Sequence, residues 1–395
     1  SASSQAATAE DDGDGNEEKL DAQPSGDLGV NGCAGDSQGG GGMNTGGDGD
    51  LEFSYIWVAN SGEGTMSKID TRTLEEKGRF IVRPDSAGNP SRTSVNLSGD
   101  VAIANRAGGL TKVSAVEERC VDTNGDGVIT TSTTNVPLPW GSDECVLWHT
   151  PYQTDSQRPV AWAPGTWNPS SCGFDDEDVW SATGGYAVGI DVHLFDGDDG
   201  SEIGSAHIPE ANFDGYGIYG GAVDGAGNFW GTMLSGVLLV FVDKETFEHK
   251  TWPVPVASYG MTVDSDGYVW ACGYDIGRFD PMTETWATAM GVGGSGGCMG
   301  DGAGKIWLAS NSLVAVDTAT LAVVDTIPIP SYAHGVSVDF DGFVWGVTLQ
   351  EPYAYKADPN THAVETFTGL TLPYTYSDMT GFALKNAGTI PPPAG

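Results

Sequence analysis

The stretch DTNGDGVIT, Asp122 to Thr130, places oxygen-bearing side chains at alternate positions of a short loop. This is the D-x-[DN]-x-[DN]-G spacing that converges donors on one point, as a hard cation taking about six to eight oxygens requires. Asp122, Asn124 and Asp126 would give side-chain oxygens, Val128 a backbone carbonyl and Thr130 a further oxygen. Gly127 allows the sharp bend, and Ile129 packs inward. The expected ion is a structural Ca2+. The twelfth position departs from the pattern: Thr133 stands where a bidentate carboxylate belongs, so Asp143 or Glu144 must fold back to complete the shell. The competing reading is an Asn-Gly/Asp-Gly turn that binds nothing.

Cys120 and Cys145 bracket this loop. A disulfide between them would close about 25 residues and contribute about 3 kcal/mol in the chain-entropy model. Cys172 is an alternative partner for either. Cys272 and Cys298 fall in neighbouring strands, where they form either a second disulfide or two buried thiols. Cys33 would tie down the N-terminal tail. An even count of six cysteines suits an oxidising compartment.

His334 is the other candidate for chemistry. It opens HGVSVDFDGFVWGVT (334–348), and the same pattern recurs as YGMTVDSDGYVWACG (259–273) and YGGAVDGAGNFWGTM (219–233). The unit is a strand ending in V-D, a D-x-x-G turn and a strand carrying Trp. A third strand ends in Asp, a D-x-x-T turn follows, and a fourth strand completes it. The second-strand Trp recurs at 57, 180, 230, 270, 307 and 345, with Val101–Asn105 filling the remaining slot. The later turn recurs as DTRT, DKET, DPMT, DTAT and DPNT, beginning at Asp70, Asp243, Asp280, Asp317 and Asp358. An Asp carboxylate there can accept the amides two and three residues on. One Trp per unit at a fixed strand position is what packing between units needs, rather than a surface for stacking sugars.

Units of about forty residues with four short strands have the length of propeller blades. The chain is therefore predicted to be all-β, a seven-bladed β-propeller of four-stranded antiparallel blades spanning 51–395. The first unit lacks an opening strand, and MTGFALKN (Met379–Asn386) supplies a spare one, so the C-terminal strand should pair in the first blade and close the ring. Residues 1–50 form an acidic, glycine-rich tail too poor in apolar side chains to fold. The calcium loop sits in an insertion at about 117–156, placed between the second and third units. Arg158, Tyr219, Tyr259 and His334 stand where opening strands begin and should ring one mouth of the channel, as a small binding surface or as a plug. FDGDDGSE and GFDDEDVW read as solvated acidic turns, and His149, His193, His207, His249 and His362 as surface or packing residues.

The repeat V-D-x-x-G-x-[VI]-W resembles the blades of NHL and streptogramin-lyase-like (virginiamycin B lyase-like) β-propellers over roughly residues 51–387, with gluconolactonase-like proteins more distant. The resemblance implies the propeller fold. It also implies, for the lyases, a W-F-T-E second strand whose Glu enters the site and a P-H-G entry to an opening strand, together holding a divalent ion. Here the Glu slot holds Asn60, Asn105, Thr183, Met233, Gly273, Ser310 and Thr348, and only His334 among the entry residues matches. The carboxylate set that related lactonases need is not seen either.

The formal net charge of −37 disfavours nucleic acid and anionic membranes as partners. It favours solubility and attracts cations. No run is long enough to span a bilayer. The start at SASSQAATAE, without Met, suggests a processed bacterial protein exported to the outer surface or medium, with a lipid anchor upstream of Ser1 as an option. The expected function is non-enzymatic: a calcium-stabilised binding, adhesion or assembly module, filament formation included, with a protein or glycan surface as partner. The alternative is a lyase-like or lactonase-like metal-dependent enzyme at the propeller mouth.

Overall fold

The computed structural model describes residues 54–388, except 169, 171–172, 186–188, 235–237 and 377. The acidic tail, Cys33 and Cys172 lie outside the described residues. The rest is a ring of seven antiparallel sheets. Their innermost strands, Pro90–Val95, Ser156–Trp162, Ile218–Val223, Gly260–Val263, Cys298–Gly300 and Ala333–Val338, lie side by side around a central channel. All six begin at the same end, which we call the mouth. Trp57, Trp180, Trp230, Trp270, Trp307 and Trp345 are at most 1% exposed, so the repeated indoles are interior packing and not a sugar-stacking surface.

A single clasp explains why the chain repeats V-D-x-x-G-x-x-W. In blades four, five, six and seven, the Asp that ends the inner strand accepts the amides two and four residues on through Oδ1. Its Oδ2 accepts the indole N–H of the Trp six residues on: Asp224–Trp230 at 3.0 Å, Asp264–Trp270 at 2.7 Å, Asp301–Trp307 at 3.4 Å and Asp339–Trp345 at 2.8 Å. A buried indole N–H needs an acceptor. One carboxylate thus satisfies it, shapes the turn and locks the first strand to the second. Blade two keeps half the device, with Asn96 Oδ1 accepting the Asp100 amide at 2.7 Å and no Trp to hold. The outer D-x-x-T turns behave as the sequence suggests: Asp70, for example, accepts the amides of Arg72 and Thr73 at 2.9 and 2.8 Å.

Blade one differs from expectation. Its own strands, Tyr55–Asn60, Thr65–Asp70 and Glu76–Ile81, make a three-stranded sheet. The C-terminal segment does close the ring, but residues 371–376, 378 and 379 do so without forming a strand and with one isolated bridge, Asn60 to Pro373. Thr371 N donates to Asn60 Oδ1 (2.8 Å), Tyr374 N to Ala59 O (3.1 Å) and Trp57 N to Met379 O (2.9 Å). MTGFALKN is not a strand: Met379 makes the last contact, and Phe382–Asn386 is a short helix, α1. Two residues force the turn. Gly381 adopts φ +85°, and the Asp378 carboxylate accepts the amides of Thr380, Gly381 and Leu384 at 3.2, 2.9 and 3.3 Å. Helix α1 then crosses the far end of the channel. Gly225 N donates to Gly388 O (2.8 Å) and Gly388 N to Asp264 O (2.9 Å), and Leu384, Val223 and Met261 line a cavity of about 30 Å³ left beneath the helix.

The insertion that carries the D-x-[DN]-x-[DN]-G loop is also displaced from its predicted position. It falls inside blade two, between the third strand Leu110–Val113 and the fourth strand Val146–Thr150, and not between blades. VLWHT pairs in register with Leu110–Val113, and that pairing moves the boundary.

The clasp gives a first prediction. Asp339, fully buried, holds three N–H donors that Asp339→Ala would leave unpaired. The variant should lose about 2–4 kcal/mol in urea unfolding, whereas Asp317→Ala in an outer turn should shift the midpoint far less. Equal shifts for the two variants would refute the clasp as the organising bond.

Candidate functional site

The insertion is held by the Cys120–Cys145 disulfide, with Cα atoms 4.5 Å apart. A second disulfide, Cys272–Cys298, joins blades five and six. Inside the first lies the D-x-[DN]-x-[DN]-G loop. Gly125 and Gly127 take φ +75° and +84°, a backbone state that side-chain-bearing residues rarely adopt. Asp122 accepts the Gly125 and Gly127 amides at 2.6 and 2.9 Å, Asn124 accepts the Asp126 amide and Asp126 the Val128 amide. Glu144 folds back onto the loop. Its Oε1 accepts the amides of Thr123 and Asn124 (2.8 and 3.1 Å), and its Oε2 accepts that of Thr130 (2.7 Å). Hydrogen bonding from the Thr130 amide, followed by those from Asn124 and Thr123, holds the Glu144 carboxyl below its ordinary range. Asp143 turns the other way, onto Thr131, Ser132 and Cys145. The loop's side-chain donors are all oxygens, the chemistry a hard cation accepts. Among the described residues no three or more His, Cys, Asp or Glu side chains are grouped to hold a metal ion.

The mouth gathers a different chemistry. The residue five before the clasp Asp opens each inner strand: Tyr219, Tyr259, Gly296 and His334. Each is followed by a glycine, and the space is needed. A Cβ on Gly260 would come within 2.7 Å of Gly297 Cα, and one on Gly335 within 2.2 Å of the Thr375 carbonyl oxygen. Neighbouring inner strands therefore approach closely, and the side chains just before the glycines are brought together. Tyr219 and Tyr259 hydroxyls lie 2.7 Å apart, and Tyr259 reaches His334 Nε2 at 2.7 Å. Arg158 lies over the Tyr219 ring at 5.0 Å. Arg158, Tyr219, Tyr259 and His334 thus form one cluster.

The sequence reading missed half of this cluster. Tyr374 joins it at 2.5 Å from Tyr219 and 2.6 Å from Tyr259, hydroxyl to hydroxyl. It comes from the closing segment, so the entry residue of blade one is Tyr374 and not Thr380, whose hydroxyl donates deep in the ring to Val338 O. Tyr376 stacks on Tyr219. Arg92 sits where four other repeats have the glycine, directly after Ser91 in the entry slot, and its guanidinium lies against both the Tyr219 and the Tyr376 ring. Counting four residues back from Asn96, to the glycine slot, would have found it. Arg106 covers the face of Tyr374 at 4.6 Å, and its guanidinium is tethered to Asn89.

Proton counting fixes the state of His334. The phenols of Tyr219, Tyr259 and Tyr374 make a closed triangle, and three protons fill its three edges. The Tyr259–His334 contact is then donated by Nε2–H, which leaves Nδ1 as an acceptor 3.0 Å from the Tyr332 hydroxyl, a group that also reaches Ser295 O at 3.3 Å. Burial, then Arg92, lowers the imidazole pKa to about 3, in keeping with this neutral tautomer. Burial raises Tyr219 to about 12. Burial also pushes Tyr374 up, but Arg92, the two tyrosine hydrogen bonds and Arg158 outweigh it and hold that phenol below its ordinary value. Burial lowers Arg92 to about 9. Both imidazole nitrogens are engaged and the neighbours are guanidinium groups. The donor set does not fit a divalent cation, which takes several nitrogen, oxygen or thiolate ligands converging on one point.

No protein-family model matches the chain, and no curated protein sequence matches it. Among solved structures the fold is similar to a streptogramin B lyase, with 16% identity, a TM-score of 0.54 and coverage of 75% of this chain and 87% of that one. A catalytically inactive virginiamycin B lyase from Staphylococcus aureus with quinupristin gives 15% identity, a TM-score of 0.49 and coverage of 71% and 84%. The chain has a streptogramin-lyase-like propeller fold.

The folded imidazole of His334 is depressed below its unfolded value of about 6.5. Unfolding therefore takes up a proton below pH 6.5, so this contribution to stability is full above that pH and is lost as pH falls toward 3. His334→Gln should flatten the melting-temperature profile between pH 6.5 and 4. Imidazole nitrogen shifts in the unsubstituted protein should stay those of neutral histidine at pH 5, and protonation near pH 6 would sink the assignment.

Proposed function

We propose that this protein is a non-enzymatic binding module, in which a rigid propeller presents the channel mouth as its ligand seat and the blade-two insertion is stabilised by calcium. The observation that carries the reading is the chemistry of the mouth: phenols, one neutral imidazole and guanidinium groups, with no carboxylate among their hydrogen-bond and ion-pair partners within the described residues. A metal-dependent lyase-like or lactonase-like reaction needs a carboxylate–histidine cluster to hold its ion and place its base. His334, donating to one tyrosine and accepting from another, is spent on positioning. The two disulfides, and the lack of any helix long and apolar enough to cross a membrane among the described residues, are compatible with export and a role at a cell surface. There the broad faces of the disc suit adhesion to a protein or glycan surface, or assembly with further copies.

In the calcium part of the proposal Asp122, Asn124, Asp126, the Val128 carbonyl and Thr130 supply oxygens, and Glu144 takes the place of the missing twelfth-position carboxylate. Glu144 already reaches both arms of the loop. Calcium at 100 times its dissociation constant would add about 2.7 kcal/mol to stability. Adding calcium should therefore raise the melting temperature, a chelator should reverse the rise, and the double variant Asp122→Ala, Asp126→Ala should be indifferent to both. A melting curve blind to calcium would remove the ion from the proposal.

The binding-module reading is tested separately at His334. Manganese(II) added at micromolar to millimolar concentration should leave the His334 imidazole resonances sharp. Selective broadening, abolished in His334→Gln, would establish a metal at the mouth and favour the enzymatic alternative.

A further inference from the structure

Arginine is scarce in this chain, and three of its eight arginines, Arg92, Arg106 and Arg158, converge on the mouth. The protein carries 54 acidic residues, yet among the described residues none of these three has a carboxylate partner. Elsewhere four of the other five, Arg72, Arg79, Arg83 and Arg119, pair with Asp or Glu, while Arg278 donates to Thr318 O and lies over Tyr268. Arg92 is 1% exposed and donates from Nη2 to Tyr219 O, while its Nε and Nη1 are buried without any hydrogen-bond partner. Arg158 donates from Nε to Ser156 Oγ, and its two terminal nitrogens make no hydrogen bond within the described residues.

The three guanidinium groups lie instead on aromatic faces: Arg92 over Tyr219 and Tyr376, Arg106 over Tyr374, Arg158 over Tyr216 and Tyr219. A ring quadrupole attracts a cation but adds no negative charge. Like charges held close in a low-dielectric channel repel, and buried donors without acceptors are costly. Burial, with the Arg158 charge adding to it, lowers the proton affinity of Arg92 and Arg106. What such a site lacks is an anion. The forked donors of arginine match planar and tetrahedral oxyanions, and the tyrosine faces beside them offer flat apolar contact. Tyr216, 43% exposed, stands at the outer edge under Arg158.

We propose that the channel mouth binds a small oxyanion, a carboxylate carried on a flat apolar body, with Arg158 and Arg106 engaging the charged end and Tyr216 and Tyr374 flanking the body. Arg92 lies beneath as a fixed positive charge. This deepens the binding-module reading and rests on it.

The test uses the full chain, with calorimetry and thermal melting against benzoate, its neutral analogue benzamide, and inorganic phosphate, at matched ionic strength. Benzoate should bind saturably and raise the melting temperature. Benzamide should bind at least tenfold more weakly, and added chloride should weaken benzoate. Phosphate binding better than benzoate would overturn the carboxylate assignment and show a tetrahedral-anion site. Arg158→Gln and Arg106→Gln, each checked for an unchanged circular dichroism spectrum, should each reduce benzoate affinity at least tenfold. Two separate variants guard against one failing to fold. Benzoate affinity unchanged in both would overturn the proposal. So would benzamide binding as well as benzoate, although that result would leave the mouth a ligand seat and the broader reading intact. The broader reading itself falls only through the manganese experiment at His334.

Discussion

The close approach of neighbouring inner strands governs this structure. Glycines at 260, 297 and 335 let backbones lie where any side chain would collide. In blades four to seven the Asp–Trp clasp then fixes where the inner strand ends, six residues before the indole it holds. With the glycine and the clasp both set by sequence, the residue between them and the mouth has little choice of position. Tyr219, Tyr259 and His334 meet because they occupy the same slot in units that are themselves locked together. The mouth is thus a consequence of the repeat, and its chemistry can be changed one slot at a time without disturbing the packing below.

The blades were legible in the sequence because the repeat has a physical cause written in single residues. An Asp at the strand end and a Trp six residues on are needed in each of blades four to seven, so the pattern survives the divergence of everything between. All seven second strands lie where the Trp period and VAIAN place them. The chain end was read less well. MTGFALKN has the small-then-apolar look of an opening strand, but strand pairing needs a partner edge. The edge offered by Tyr55–Asn60 is already met by residues 371–379. Past Met379 no edge is left to pair with, and Gly381 with Asp378 turns the chain into α1 instead. The insertion was misplaced for a related reason: VLWHT carries no periodic signature, and only its register with Leu110–Val113 identifies it as the fourth strand of its blade.

Half of the mouth could be found by reading and half could not. Arg158, Tyr219, Tyr259 and His334 were reachable because an entry slot recurs. Arg92 was reachable in principle, being a long side chain in a slot that four repeats fill with glycine, but blade two has Asn96 in place of the clasp Asp and so hides its own register. Tyr374 and Tyr376 were hidden by the misplaced closing strand. Tyr216, Tyr332 and Arg106 come from loops, whose positions follow from packing rather than from period. The aromatic stacking among them depends on distances that no local pattern encodes.

Ring closure and site formation are consequently one event. The segment that removes the exposed edge of blade one also delivers Tyr374, which completes the phenol triangle, and Tyr376, which covers Arg92. Before it docks, Tyr219, Tyr259 and His334 have a gap in their network and Arg92 has one aromatic face fewer. Once docked, the same segment runs the length of the channel, and α1 covers the far end. The positive charge gathers at the other end, where Arg92, Arg106 and Arg158 lie on tyrosine rings. In an acidic protein, the end whose arginines have no carboxylate partner among the described residues is the one that attracts anions. Because the tyrosines arrive with the last part of the chain, that selectivity exists only in the fully closed ring.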